Sequence, residues 1–154
     1  MAAPPEQIDF ALNDRAAVLD RMTRLTEAKK GWINLSPAVD EDDEPPPRSS
    51  TFGGLFSARG PDVPLCTWVP GPPVEVGIQH GAGSKAVQVL RELGEPVPDG
   101  WRVTQDHSRR GLVAVVPDGT PHERVLDWLL RAGTALARDL KLAGWWRAAF
   151  YYPP

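Results

Sequence analysis

The chain has 154 residues, of which 42% are hydrophobic and 24% charged, and a formal net charge of −3. These values are ordinary for a soluble globular protein with one domain, here residues 1–154, and the mild negative charge argues against nonspecific nucleic-acid binding. A single cysteine, Cys66, excludes an intramolecular disulfide and any multi-cysteine metal site, and it fits a reducing compartment.

Two further observations concern location and source. The sequence has no run of 18 apolar residues, and its start, MAAPPEQIDF, lacks the basic and apolar regions of a secretory signal. We therefore expect a cytoplasmic protein that does not enter a membrane. Arginine outnumbers lysine 13 to 4, and Ala, Gly and Pro are plentiful, which indicates a high-GC bacterium.

The first predicted element is a helix over residues 9–30, capped by Asp9 or Asn13 and ended by Gly31. Its buried face carries apolar residues at three- and four-residue spacing, namely Leu12, Ala16, Leu19, Met22 and Leu25. A short strand follows at Trp32–Leu35. Residues 37–64 then predict a long loop, because DEDDEPPPRSS cannot bury enough apolar surface to order itself, although TFGGLF is apolar enough to dock as a strand or lid.

The remaining elements alternate between strands and helices. Strands are predicted at Leu65–Val69 and Val74–Ile78, a helix from Ser84 to about Leu93, and a hairpin whose strands are Trp101–Asp106 and Leu112–Val116. Thr120, Pro121 and Glu123 have the spacing of a capping box that opens a third helix, which Gly144 ends. The last strand is Trp145–Tyr152.

The order is therefore α-β-β-β-α-β-β-α-β. Hairpin strands grouped between helices favour an α+β fold over a doubly wound one. We predict a two-layer sandwich with three helices and a mainly antiparallel sheet of five to six strands.

The stretch GIQHGAGSKAVQVL, residues 77–90, suggests a binding site at a glycine turn. Gly81, Gly83, Ser84 and Lys85 have the composition of an anion cradle at a helix N-terminus. However, a nucleotide-binding loop requires Lys before Ser or Thr, and the glycine spacing differs. We favour a tight turn in which Ser84 caps the helix.

The hairpin turn adds residues that would share one rim with the glycine turn. A ligand-binding rim would combine His80 and the glycine turn with Asp106, His107, Arg109 and Arg110. A catalytic version would join His80, then Asp106 or His107, then Cys66 or Ser84. We favour two exposed loop histidines over catalysis and predict neither a cofactor nor a metal site, because His and Cys lack ligand spacing.

The C-terminal strand suggests an interaction surface. Trp145 and Trp146 are adjacent, so a strand directs them to opposite faces. Phe150, Tyr151 and Tyr152 are also consecutive, so they too place aromatic rings on both faces of the strand, and each face needs a cover. Protein interfaces favour Trp and Tyr. Either a partner or the 37–64 loop would cover the second face.

The order of elements from residue 9 to about 140 resembles that of type III secretion chaperone-like domains. The resemblance implies a small, acidic, cytosolic dimer that binds protein segments and has no catalytic residues. We therefore favour a non-enzymatic domain that binds another protein or itself. The alternative is a small enzyme or ligand-binding module with its site at the rim.

Overall fold

The computed structural model describes residues 4–40, 61–82, 85–137 and 140–152. The elements in these ranges are β1 (Glu6–Ala11), α1 (Ala16–Ala28), β2 (Trp32–Val39), β3 (Leu65–Val69), β4 (Val74–Gln79), α2 (Ala86–Glu92), β5 (Arg102–His107), β6 (Gly111–Val116), α3 (His122–Leu136) and β7 (Leu142–Tyr151). TFGGLF and the acidic run after Asp40 lie outside the described residues, whereas residues 37–39 extend β2.

The strands form one open sheet in the order β1-β7-β2-β3-β4-β6-β5, and every neighbouring pair is antiparallel. The predicted α+β class is confirmed, and the described residues contain the three helices and the antiparallel pairing that the sequence predicted. The described sheet has seven strands, more than the predicted five to six. The predicted architecture, a two-layer sandwich with that number of strands, is therefore matched only in part.

The additional strand is β1, in a region where the sequence predicted a helix from residue 9. Ile8 and Phe10 alternate with Gln7 and Asp9, a period of two that suits a strand with one buried face. The pairing of β1 with β7 joins Phe10 to Trp146 and Asp9 to Arg147. Asp9 and Asn13 are residue types that commonly cap helices, so the sequence favoured a helix here and the strand was not predicted.

Both ends of α1 differ from the prediction. The helix begins at Ala16, and its buried residues are Val18, Met22 and Leu25, while Leu12 precedes the helix and is 38% exposed. Lys29 itself takes the left-handed conformation (φ 55°) and donates its N–H to the carbonyl of Thr26. The helix therefore ends before Gly31, although Gly31 also has a positive φ.

The predicted capping box at α3 does not form. The Thr120 hydroxyl donates to the carbonyl of Pro117 (2.7 Å), and no side chain caps the first turn. Pro121 occupies the N-cap position, one residue before the helix begins. The helix ends at Leu136 and β7 starts at Leu142, so Gly144 lies inside the strand and does not end the helix.

The helices pack on one face of the sheet. Alternate residues of the strands are buried there, including Trp68 of β3, Ile78 of β4 and Trp146 of β7, against α1, α2 and α3 in one hydrophobic core. The other residues of each strand form the opposite face, called here the open face, and none of the three helices lies on it.

Candidate functional site

Asp106, near the end of β5, contacts the start of α2, the helix that follows the glycine turn. Its carboxylate accepts hydrogen bonds from the backbone N–H groups of Ala86 (2.8 Å) and Val87 (3.2 Å) at the start of α2. The chain's own negative charge therefore occupies the amides that a bound anion would use. Lys85 is exposed at the N-cap position, whereas Gly83 and Ser84 lie outside the described residues.

The two histidines of the rim differ from the predicted pair of exposed loop residues. His80 is fully buried, its Nδ1 accepts from the N–H of Ala82 (3.3 Å), and burial lowers its pKa against a smaller opposing effect of Asp106. His107 is partly exposed, and its Nδ1 accepts from the N–H groups of Arg109 (3.0 Å) and Arg110 (3.1 Å). Both rings therefore stabilise turns of their own chain.

Cys66 does not lie at the rim. Its side chain is fully buried on the helix face of β3, with Sγ 3.7 Å from the carbonyl oxygen of Leu129. Burial raises the pKa of the thiol to about 12, so the nucleophilic thiolate is not formed near neutral pH. The catalytic set that used Cys66 is therefore corrected, and the set that used Ser84 falls outside the described residues.

The C-terminal aromatic residues divide between the two faces of β7. Trp146 and Phe150 are buried against the helices, which removes them from the predicted interaction surface. Trp145 and Tyr151 lie on the open face, because the strand alternates. Tyr152 follows the strand, is 52% exposed and donates its hydroxyl to Glu6 (3.0 Å).

Two aromatic contacts mark the open face. Trp32 of β2 stacks on Tyr151 of β7, with ring centroids 4.8 Å apart and planes inclined by 7°, and Trp32 remains 38% exposed. The guanidinium of Arg147 lies over the ring of Trp145, 5.7 Å from its centroid, and Arg147 also pairs with Asp9. Flat aromatic rings and Arg are the side chains that protein interfaces favour.

A groove crosses the centre of the open face. Gly77 of β4 lies in register between Thr67 and Val113, and its lack of a side chain leaves a depression there. The groove has a volume of about 320 Å³. Its polar and aromatic lining consists of Trp32, Asn34, Thr67, Glu75, Gln79 and Arg110.

Of this lining, only Arg110 belonged to the predicted rim. The alternation within WINLS and LCTWV placed Trp32 and Asn34 on one face of β2 and Thr67 on one face of β3. Both faces of these strands carry apolar residues, however, so the sequence did not show which face the helices cover. The groove itself follows from the strand order, which the sequence did not reveal.

Other features of a site are not found in the part of the chain that the structure describes. No three His, Cys, Asp or Glu side chains in these ranges are grouped to hold a metal ion. No described helix has the length and apolar character needed to cross a membrane.

Comparison with known proteins gives no match: no family model, no curated protein and no solved structure is similar to this chain. The candidate site therefore depends on its own geometry, and that geometry identifies the open face, with its aromatic pairs and central groove.

Proposed function

We propose that the chain is a non-enzymatic domain that binds another protein through the open face of its sheet. One observation carries the proposal: Trp32, Tyr151 and Trp145 lie on the one face that the helices leave uncovered. Stacking holds Trp32 and Tyr151 against each other, so little side-chain freedom is lost on binding.

The charges of the open face suit a partner surface of mixed character. Arg147 and Asp9 form an ion pair at 2.8 Å near the β1 edge, and Glu75 and Arg110 line the groove. Val69 and Val115 lie on either side of Glu75 in the register of the sheet, and both are partly exposed, so apolar and charged side chains are interspersed on this face. Protein interfaces likewise combine apolar and polar groups.

The partner is another protein or a second copy of this chain. The chaperone-like order of elements favours a dimer that also holds a protein segment. The mass of the complex distinguishes these assemblies, and the site of contact tests the proposal itself.

Photo-crosslinking from single positions tests the site of contact. We expect a photoreactive phenylalanine analogue at Asn34, on the open face, to crosslink to a protein of defined mass in the host cell. The same analogue at Gln88, exposed on α2, is the control and should give no such product. Crosslinks from Gln88 alone would contradict the proposal.

A second candidate function uses the groove for a small ligand. Its volume of about 320 Å³ lies at the lower end of small-molecule sites, and Arg110 supplies a positive charge at one end. A monomer that retains a small bound mass in native mass spectrometry, and loses it with Arg110→Ala, would favour this function.

A further inference from the structure

Gly77 stands in the middle of β4, where glycine is an unfavourable residue. The strand pairs in unbroken register with β3 and with β6, so the glycine does not form a bulge. It is not among the glycines with a positive φ, so no turn requires it. Glycine inside a strand weakens the strand, and it commonly marks a place where a ligand or another backbone approaches closely.

The space above Gly77 is open. A Cβ atom at this position would first meet the carbonyl oxygen of Leu112 at 3.5 Å and the Cγ2 atom of Val113 at 3.9 Å, which are ordinary contact distances. A Cβ atom therefore fits without displacing its neighbours, and the packing of the sheet does not demand a glycine. What the glycine provides is the floor of the groove on the open face.

Opposite charges stand at the two ends of this groove. Glu75 lines one end, two residues from Gly77 on the same face of β4. Arg110 lines the other end, because it precedes Gly111, which lies against Gln79. Four residues of an extended strand separate Glu75 from Gln79, a distance of about 13 Å.

Both charged groups are available to a ligand. Within the part of the chain that the structure describes, the Glu75 carboxylate has no hydrogen bond or ion pair, and Arg110 engages only its backbone N–H and carbonyl. A ligand with a positive group at one end and a negative group at the other would complement this arrangement.

The side chains between the two charges suit peptide groups. The Asn34 Oδ1 atom accepts from the Thr67 hydroxyl at 2.8 Å, which leaves the Asn34 NH₂ group to donate. Gln79 supplies a second amide with both a donor and an acceptor. A peptide bond likewise has one N–H donor and one C=O acceptor, so its hydrogen bonds find partners here.

We propose that the groove over Gly77 binds a short free peptide of small residues, with its terminal amino group at Glu75 and its terminal carboxylate at Arg110. An extended chain spans about 3.5 Å per residue, so about two to four residues bridge the two charges. The volume of about 320 Å³ restricts the side chains to small ones. The proposal rests on the second candidate function, the use of the groove for a small ligand, and it names the class of that ligand.

Trialanine is the probe, because it has both terminal charges and only methyl side chains. In a ¹⁵N-resolved NMR titration we expect saturable shifts of the Gly77 and Val113 amides, but not of the Gln88 amide on α2. N-acetyl-trialanine lacks the amino charge, and trialanine amide lacks the carboxylate. We expect each blocked peptide to bind about threefold more weakly, the effect of one exposed ion pair.

Two variants assign the two ends of the peptide. Glu75→Gln should weaken trialanine about threefold and leave N-acetyl-trialanine unchanged, because that peptide has no amino charge for Glu75 to attract. Arg110→Gln should weaken trialanine to the same extent and leave trialanine amide unchanged. Glu27→Gln, at an exposed position of α1, is the control and should change no affinity.

Gly77→Val tests the role of the glycine itself. Because a Cβ atom fits here and valine favours strands, we expect the variant to be at least as stable as the unaltered chain in urea denaturation. Its side chain fills the groove, so we expect all three peptides to bind at least tenfold more weakly.

Three results would overturn the proposal. The first is the absence of a saturable shift at Gly77 with trialanine. The second is equal affinity of the unaltered chain for trialanine and both blocked peptides. The third is a Gly77→Val variant that binds trialanine as before or is markedly less stable, since the glycine would then serve the fold.

These failures are distinct from failure of the proposed function. Crosslinking from Asn34 tests the protein-binding face, whichever way trialanine behaves. A small bound mass that Arg110→Ala removes would keep the small-ligand function even if the groove does not bind peptides.

Discussion

At the scale of single residues, Asp106 joins the end of β5 to the start of α2, beside the two turns that were expected to share one rim. Nothing in the sequence indicated a cap supplied from a strand, because Ser84 was a local candidate for that role. The same carboxylate explains why a glycine-rich turn before a helix need not bind phosphate. Local patterns identify a helix start, whereas the group that caps it depends on the tertiary fold.

We expect Asp106→Ala to lower the free energy of unfolding by about 1 kcal/mol, because the first amides of α2 lose their acceptor. Urea denaturation measures the difference. Asp118→Ala, at an exposed loop position, is the control and should change stability by less than about 0.5 kcal/mol. Equal effects of the two substitutions would show that Asp106 is not a cap.

The lowered pKa of the buried His80 ring leads to a prediction of how the free energy of unfolding depends on pH. Burial lowers its pKa below the ordinary value of 6.5, so the unfolded chain binds its proton more readily. The stabilising contribution is complete above pH 6.5 and is lost as the pH falls from there through the lower folded pKa. For one proton the slope approaches about 1.4 kcal/mol per pH unit.

The test compares two substitutions that keep a side-chain acceptor in place of Nδ1. We expect His80→Asn to flatten the decline in unfolding free energy below pH 6.5, measured by urea denaturation at several pH values. His107→Asn, which replaces a similar acceptor at the partly exposed hairpin turn, is the control. An unchanged slope in His80→Asn would mean that His80 is not responsible.

At the scale of elements, most strands and helices followed from their patterns. The hairpin of β5 and β6, the strands β3 and β4 and the body of α3 were all predicted, because their alternation or helical spacing is uninterrupted. The region before residue 16 was not, because Asp9, Asn13 and Leu12 fit a helix as well as Ile8 and Phe10 fit a strand. The pairing of β1 with β7 decides between these patterns, and it joins residues far apart in the sequence.

Two substitutions distinguish the strand from the predicted helix. Phe10→Ala should cost about 3 to 5 kcal/mol of unfolding free energy, because Phe10 packs in the core beside Trp146. Leu12→Ala should cost about 0.5 kcal/mol or less, since Leu12 is exposed and lies outside α1. Thermal or chemical denaturation gives both values, and the reverse order would support the helix.

At the scale of the whole molecule, the three helices among the described residues cover one face of the seven-stranded sheet and do not lie on the other. The alternation of β7 already required two aromatic faces, so the sequence predicted that Trp145 and Trp146 would separate. It could not predict the partner of Tyr151, because Trp32 becomes its neighbour only when β2 and β7 pair. The groove at Gly77 likewise depends on strand order.

The most direct test of the proposed protein-binding face is native mass spectrometry of the protein purified from its own host, in three forms. For the unaltered chain we predict a dimer or a stoichiometric complex with another protein. Trp32→Ser, on the open face, should reduce the complex at least tenfold, whereas Leu93→Ser, at a 47% exposed apolar site beside α2, should retain it. An unaltered chain found only as a monomer, or a complex lost with Leu93→Ser and kept with Trp32→Ser, would contradict the account.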